Sequence, residues 1–234
     1  MFKTLFCCCA ILFTATLSAQ TASKRFQFGV NYSADYAFRT LKNNGDSPFA
    51  EMVIDLRDDS EKAKYGFTTG LNVLFTVNNH LEIGAGVQYS NKGYRVPTIQ
   101  VEGVMPQPYL EGKVISSLNY IDIPLKVNFI FGNGKLRGLA GAGIVANFLA
   151  SSTLRTVYKQ SNGDESYGKI TNTSDYKRFN LSPMVSVGVD YQLNERVHLR
   201  LEPTFRYGVL KIADAPITML VWNAGLNASC YFSL

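Results

Sequence analysis

Alternation between apolar and polar residues dominates this sequence and recurs in eight segments. Residues that alternate with a period of two place their side chains on opposite faces of a β-strand. In the clearest segment, Leu199 and Leu201 alternate with Arg200 and Glu202. The eight segments are 25–39, 65–77, 81–89, 119–131, 136–148, 179–191, 197–207 and 220–232. The pattern therefore predicts an all-β fold with eight strands.

The connections between these segments alternate between short and long. Three connections take only a few residues, and two of them contain the turn formers Asn78-Asn79 and Gly132-Asn133-Gly134. The connections 40–64, 91–117, 150–177 and 208–217 are mostly much longer. Short turns on one rim and long loops on the other are typical of outer membrane barrels, with the short rim and both termini in the periplasm. We therefore predict an eight-stranded antiparallel up-and-down transmembrane β-barrel.

The two faces of the predicted strands differ in charge. The apolar face carries no charged residue in the eight segments, so it contacts either a dry core or lipid. A solvated exterior and a lumen of paired charges both explain the polar face. An eight-stranded barrel is only wide enough for its own side chains, so in a barrel these charges form a structural network that fills the lumen. The network comprises Asp35, Arg39, Glu82, Asp122, Lys126, Arg137, Asp190, Arg200, Glu202 and Arg206.

Glycines and aromatic residues favour the membrane barrel over a secreted soluble barrel of the lipocalin kind. Aromatic residues gather at the two ends of the apolar face, as the girdles at the two membrane interfaces do. Glycines gather on the polar face, where they let a narrow barrel close over large interior side chains. These glycines are Gly29, Gly66, Gly70, Gly84, Gly86, Gly141, Gly143, Gly188 and Gly225.

The N-terminal segment has the features of a secretory signal peptide. Lys3 precedes an apolar run over 5–17, and the small residues Ser18 and Ala19 follow it. Cleavage after Ala19 divides the chain into a signal peptide, 1–19, and an outer membrane β-barrel domain, 20–234. Three of the four cysteines leave with the signal peptide, so Cys230 alone remains. We therefore expect no intramolecular disulfide, no cysteine metal cluster and no cofactor.

Charge and hydropathy exclude two other classes of protein. The formal net charge is +5, and basic residues are interspersed with acidic ones rather than gathered in a stripe, so we expect no nucleic-acid partner. Beyond the signal peptide no run of about 18 apolar residues occurs, so no helix is expected to span a bilayer. The chain would therefore enter the lipid bilayer of the bacterial outer membrane as a barrel.

Four features resemble the PorT-like outer membrane β-barrel family of Bacteroidota, which is similar in architecture to the small OmpA and OmpX barrels. They are the leader ending Leu-Ser-Ala-Gln, the strand Tyr-Ile-Asp-Ile-Pro-Leu-Lys at 120–126, the glycine-rich segment 138–143 and the closing aromatic strand. The resemblance implies insertion by the barrel-assembly machinery, which reads a terminal strand ending in an aromatic residue. Here Phe232 stands two positions before the last residue, Leu234. The resemblance also allows a role in a protein export assembly.

The sequence contains few residues that could form a catalytic site, and we predict that the protein is not an enzyme. His80 lies at a short turn and His198 near the periplasmic start of a strand, away from the outer rim where a surface enzyme would act.

A narrow channel is an alternative to the packed lumen. Residual alternation over 49–56, 94–114 and 153–158, with a turn at 161–164, predicts hairpins beyond the membrane. These hairpins either capture an unidentified extracellular or periplasmic protein partner or only shield the barrel.

Overall fold

The computed structural model describes residues 25–45, 47–101, 110–159 and 165–233. The predicted signal peptide, the turn at 161–164 and Leu234 lie outside the described residues. Within these ranges, one helix, α1 (Pro48–Ser60), accompanies the strands. The strands are β1 (Phe26–Asn43), β2 (Lys62–Asn78), β3 (Leu81–Val101), β4 (Leu110–Phe131), β5 (Leu136–Lys159), β6 (Glu165–Thr171), β7 (Phe179–Gln192), β8 (Val197–Tyr207) and β9 (Ile217–Ser233).

Eight of these strands close into a ring. Each strand is antiparallel to its neighbours in the order β1, β2, β3, β4, β5, β7, β8, β9, and β9 returns to pair with β1. The closing pair runs from Gln27 opposite Ser233 to Asn43 opposite Ile217. The remaining strand, β6, pairs with β5 beyond the ring. The predicted eight-stranded antiparallel up-and-down barrel is therefore confirmed.

The barrel carries its apolar side chains on the outside. Along β1, Phe28 and Tyr32 are 45% and 56% exposed, whereas Asn31 and Asp35 between and beside them are 5% and 3% exposed. The same inversion holds along the other ring strands, so the polar face lines the lumen and the apolar face surrounds the barrel. A soluble lipocalin-like barrel needs the opposite arrangement. An apolar exterior of this kind is suited to lipid.

Four connected strands extend beyond the part of the barrel that is long enough to cross a membrane. A strand crosses a bilayer in about 9–11 residues, whereas β4 and β5 contain 22 and 24. The extra residues of β3, β4 and β5 stay paired, and β6 adds a fourth strand. The hairpins predicted over 94–114 and 153–158 are therefore confirmed where the structure describes them. We call this extension, formed by 91–101, 110–119, 151–159 and 165–171, the outer sheet.

The hairpin predicted over 49–56 is wrong, because this segment belongs to helix α1. Phe49, Met52, Val53 and Leu56 recur at the spacing of one helix face, a period that the strand interpretation overlooked. Pro48 occupies the start of the helix, where its fixed backbone angle is favourable. Among the described residues, no helix is long and apolar enough to cross a membrane.

Candidate functional site

The lumen near the short-turn rim holds a cluster of five charged or titratable side chains centred on Asp190. The two oxygens of the Asp190 carboxylate accept from Arg200 Nε at 2.8 Å and from an Arg137 guanidinium nitrogen at 2.5 Å. Arg200 also lies 2.8 Å from Glu82, and His198 Nδ1 lies 3.4 Å from Asp190. Asp190 is completely buried. One buried carboxylate therefore joins strands β5, β7 and β8.

Two further ion-pair groups continue the network toward the outer rim. Lys126 on β4 pairs with Glu202 on β8, which also accepts from the Ser186 hydroxyl at 3.2 Å. Above them, Lys92 Nζ lies 3.3 Å and Arg206 3.6 Å from the same oxygen of Asp122. These contacts account for all but two of the ten charges that the sequence predicts for the lumen.

Asp35 and Arg39 have a different environment from the rest of the predicted network. Asp35 is buried and accepts hydrogen bonds from the Ser33 and Thr68 hydroxyls and from the Asn223 amide at 3.1 Å. Arg39 lies at the outer end and binds the end of α1 rather than another lumen charge.

Arg39 fixes α1 to the barrel through two carboxylates. The guanidinium of Arg39 pairs with Asp58, and its Nε donates to Glu61 at 2.7 Å. Glu61 also binds Arg57 at 2.7 Å. Burial disfavours the charged form of Arg57, but the hydrogen bond and charge of Glu61 outweigh it and raise the pKa of Arg57. The helix is therefore held to the wall by ion pairs.

The polar contacts reach directly across the lumen. In the ring order, β3 and β8 stand on opposite sides of the barrel, yet Arg200 contacts Glu82 and Arg206 donates to Gln88 at 3.1 Å. The enclosed space among these side chains has a volume of about 40 Å³, room for a few water molecules. The interior is therefore packed by its own side chains.

An apolar cluster lies at the outer end of the lumen. Leu118 and Tyr120 of β4 point inward and pack with Leu149 of β5, Val221 of β9 and Ile212 from the loop between β8 and β9. Each of these side chains is at most 5% exposed. We call these five residues the apolar plug. The plug stands beside two buried charges, because Leu118 lies opposite Lys92 and Val221 lies opposite Arg39.

The sequence interpretation missed four charged residues in or near the interior. Lys64, Lys92, Asp58 and Glu61 lie in connections that were predicted to be loops, so they were not assigned to a face. The alternation continues from Gln88 through Ser90 to Lys92, and this signal could have found Lys92. Only the helical period of α1 could have indicated where Asp58 and Glu61 lie.

The free side of β6 offers the other candidate site. Asn172 N–H donates to Ser152 O at 3.1 Å, so these residues form a hydrogen-bonded pair. In an antiparallel ladder, such pairs recur at every second residue. The β6 residues that bond β5 are therefore Ser166, Gly168 and Ile170. Those whose backbone N–H and C=O groups point to the open side are Glu165, Tyr167, Lys169 and Thr171.

Every residue of β6 is exposed. Tyr167 is 73% and Ile170 64% exposed, although both side chains are large and partly or wholly apolar. Natural proteins usually cover or shorten such an edge, because it can pair with a strand of another chain. In the part of the chain that the structure describes, the outer sheet therefore ends in a strand edge that has no partner strand and that carries apolar side chains.

A closed ring of strands with a lipid-suited exterior and an ion-paired interior defines a transmembrane β-barrel of the outer membrane type. The sequence profile of one family, described as an outer membrane protein beta-barrel domain, matches residues 18–214. The chain belongs to this family, and it is an outer membrane protein. Comparison with the curated proteins gave no match.

Several solved structures share this architecture at low sequence identity. Neisserial surface protein A is 15% identical, with 91% of this chain and 98% of that chain covered and a TM-score of 0.47. OprG from Pseudomonas aeruginosa is 13% identical, with 90% and 97% covered and a TM-score of 0.45. The outer membrane protease OmpT from Escherichia coli is 8% identical, with 90% and 97% covered and a TM-score of 0.33.

Both histidines lie at or close to the short-turn rim. His80 lies at the turn between β2 and β3, where its Nδ1 is 3.1 Å from the carbonyl oxygen of Ile130 and its ring stacks on Phe129. His198 is buried beside Asp190, among arginines and close to the short-turn rim. In the part of the chain that the structure describes, no three potential metal ligands come together.

Proposed function

We propose that this protein is a non-enzymatic surface-interaction barrel that binds a protein partner through the open edge of β6. The observation that supports the proposal is the contrast between the packed lumen and β6, which is fully exposed and has one free edge among the described residues. Main-chain groups on an open edge give affinity for an extended segment, and alternate side chains select its sequence. Tyr167 and Lys169 supply free main-chain groups, and the exposed Tyr167 side chain supplies the selection.

In this proposal the ten predicted lumen charges are structural. Their cross-lumen contacts tie opposite walls of the barrel together. Buried ion pairs fix a unique arrangement more than they add stability. We therefore propose that the outer sheet binds the partner and that the lumen charges maintain the shape of the barrel.

The packed lumen predicts that the protein does not conduct ions. After reconstitution into a planar bilayer, we expect no stepwise conductance, because both the apolar plug and the cross-lumen ion pairs block the path. A general-diffusion porin in the same bilayer is the positive control, and heat-modifiable gel mobility verifies that the tested sample is folded. Reproducible single-channel steps from the folded protein would establish the alternative of a narrow channel.

If a protein partner binds the open edge of β6, a photoreactive residue at that edge should form a covalent adduct with the partner in cells. A photoreactive phenylalanine analogue at Tyr167 is expected to crosslink one discrete protein, since this side chain is exposed beside the free main-chain groups. The same analogue at Val187, which is exposed on the lipid side of the barrel, is expected to give no such adduct.

Two variants of Lys169 separate the backbone from the side chain. Lys169→Pro removes one N–H from the open edge and leaves the β5–β6 hydrogen bonds in place, so it should abolish the adduct. Lys169→Ala keeps that N–H and should retain the adduct. The proposal that a partner pairs with the edge of β6 is wrong if Lys169→Pro leaves the adduct unchanged. It is also wrong if the photoreactive analogue at position 167 gives no adduct.

The resemblance to PorT-like barrels supports an alternative, a role in a protein export assembly, and this alternative predicts a partner on the periplasmic side. At the short-turn rim, Glu82, Arg137 and His198 line a polar recess of about 380 Å³. Crosslinks from this recess, with none from the outer sheet, would favour the export role. In either case we infer that residues 1–19 are a cleaved signal peptide and that the barrel-assembly machinery inserts residues 20–234.

A further inference from the structure

Basic side chains form a row across one face of the outer sheet. The strand register places Lys62 opposite Arg95, Arg95 opposite Ile115, Ile115 opposite Arg155 and Arg155 opposite Lys169. Directly opposed residues of neighbouring strands share one face of a sheet. Five strands at about 4.8 Å spacing make the row about 19 Å long. We call Lys62, Arg95, Arg155 and Lys169 the basic row.

The basic row carries four charges that no ion pair among the described residues neutralises. Lys62, Arg155 and Lys169 are exposed, and Arg95 is half-buried with its Nε donating to the carbonyl oxygen of Ala63 at 3.1 Å. Within the described ranges, none of the four forms an ion pair. Like charges directly opposite each other are destabilising. An anionic partner would relieve that repulsion.

The basic row lies on the face that continues the lipid-contacting surface. On β3, the lipid-facing Tyr89 is followed on the same face by Asn91 and then by Arg95. Asn91 donates to Asn119 at 2.5 Å, and Asn119 donates to Ser151 at 2.9 Å, so a polar ladder separates the apolar surface from the row. The row therefore stands just outside the hydrocarbon boundary.

The row is oblique to the membrane. Lys62 lies close to the exposed Tyr65 along β2, whereas Arg155 lies much farther from the lipid-facing Phe148 along β5. With strands tilted about 40°, a 19 Å row rises about 12 Å from β2 to β6. The headgroup layer of a phospholipid is only about 5–8 Å thick on each side. A small phospholipid headgroup would therefore reach only the lower end.

We propose that the basic row binds the phosphate groups on the saccharide headgroup of an outer-leaflet glycolipid. A saccharide headgroup extends away from the membrane, as the row does, and its phosphates supply the missing negative charge. Arg95 and Arg155 suit this partner because guanidinium groups bind phosphate oxygens in a bidentate manner. This surface is distinct from the backbone edge of β6, so one test does not decide the other.

The proposal is tested by measuring the affinity of the purified barrel, in phosphatidylcholine nanodiscs, for a short-chain lipopolysaccharide. The test variant is Lys62→Gln with Arg155→Gln. The control variant is Lys135→Gln with Arg196→Gln, which removes the same charges from exposed positions on the short-turn rim. At about 1 kcal/mol for each basic residue near a membrane surface, the test variant should bind about ten- to thirty-fold more weakly, and the control should match the unmodified protein.

Two further probes identify the source of the phosphate. Dephosphorylated lipopolysaccharide should bind weakly and equally to all three proteins. Nanodiscs containing phosphatidylglycerol should show a smaller difference between the test and control variants. Equal losses of lipopolysaccharide affinity in the test and control variants would show that net charge alone causes the effect, and this result would overturn the proposal.

If the test variant loses as much affinity for phosphatidylglycerol as for lipopolysaccharide, the row binds anionic phospholipid instead. Heat-modifiable mobility confirms that each variant is folded.

Discussion

Replacing Asp190 with Asn is expected to lower the free energy of unfolding by about 3–5 kcal/mol, the usual effect of removing one partner from a buried ion pair. The Asp190 carboxylate is completely buried and binds Arg137 and Arg200 at 2.5 and 2.8 Å. Asparagine keeps the size of the side chain and removes its charge. Arg200 would then have Glu82 as its one remaining carboxylate partner. The guanidinium groups of Arg137 and Arg200 would each lose a charge-assisted hydrogen bond.

The measurement is a urea titration of the barrel in phosphatidylcholine vesicles. Trp222, the only tryptophan, lies on the lipid side against Phe38 and Phe205 and reports on insertion by its fluorescence. Heat-modifiable gel mobility gives an independent reading of the folded fraction.

Asp214→Asn is the matched control, because Asp214 also binds two cations but at the surface. Its side chain is 69% exposed and lies 3.0 Å from Lys177 and 2.7 Å from Lys211. Hydrogen bonds from these lysines lower the pKa of Asp214. Exposed pairs contribute little to stability, so the control should unfold at the urea concentration of the unmodified protein. Equal midpoints for Asp190→Asn and Asp214→Asn would show that the buried cluster is not structural.

Gly188→Val is expected to prevent assembly of most of the protein into a folded barrel. A Cβ atom at Gly188 would lie 2.2 Å from the carbonyl oxygen of Leu201 and 2.9 Å from Cα of Glu202. Both are backbone-chain atoms of β8, so relief requires β7 and β8 to separate. Overpacking in a well-packed interior costs about 1–3 kcal/mol and sometimes more, and Gly188→Ala should fall in that range.

Ala142→Val provides the comparison for the glycine variants. Ala142 is exposed on the lipid side of β5, where a larger apolar side chain meets lipid instead of a neighbouring strand. This variant should fold into vesicles with the yield of the unmodified protein. A similar folded yield for Gly188→Val and Ala142→Val would mean that the interior tolerates a side chain at position 188.

The orientation of the strands was predictable from the sequence because it depends on local alternation alone. In the glycine-rich β5, Gly141 and Gly143 face the lumen as predicted, and Ala142 between them faces outward. The outer ends of the strands were harder to predict, because pairing with a neighbouring strand continues where the alternation weakens. Lys92 is therefore buried in a stretch that was predicted to be a loop.

The pairing of the lumen charges could not be predicted from the sequence. Lys126 and Glu202 meet inside the lumen although β4 and β8 are three positions apart in the ring, and the distance between them depends on the closure and stagger of the whole barrel. Ile212 of the apolar plug comes from a loop, whose path follows no period. Arg39 was placed on the correct face, but its partners on α1 were unpredictable while that segment was taken for a hairpin.

The apolar plug makes the two ends of the barrel chemically unequal. At the long-loop end, the apolar side chains of Leu118 and Val221 stand opposite Lys92 and Arg39, so charge reaches this end only beside apolar neighbours. At the short-turn rim, a polar recess leads directly to Glu82 and Arg137. Ions in the solution at the short-turn rim therefore meet the Asp190 cluster first through Arg137, whose side chain is 22% exposed.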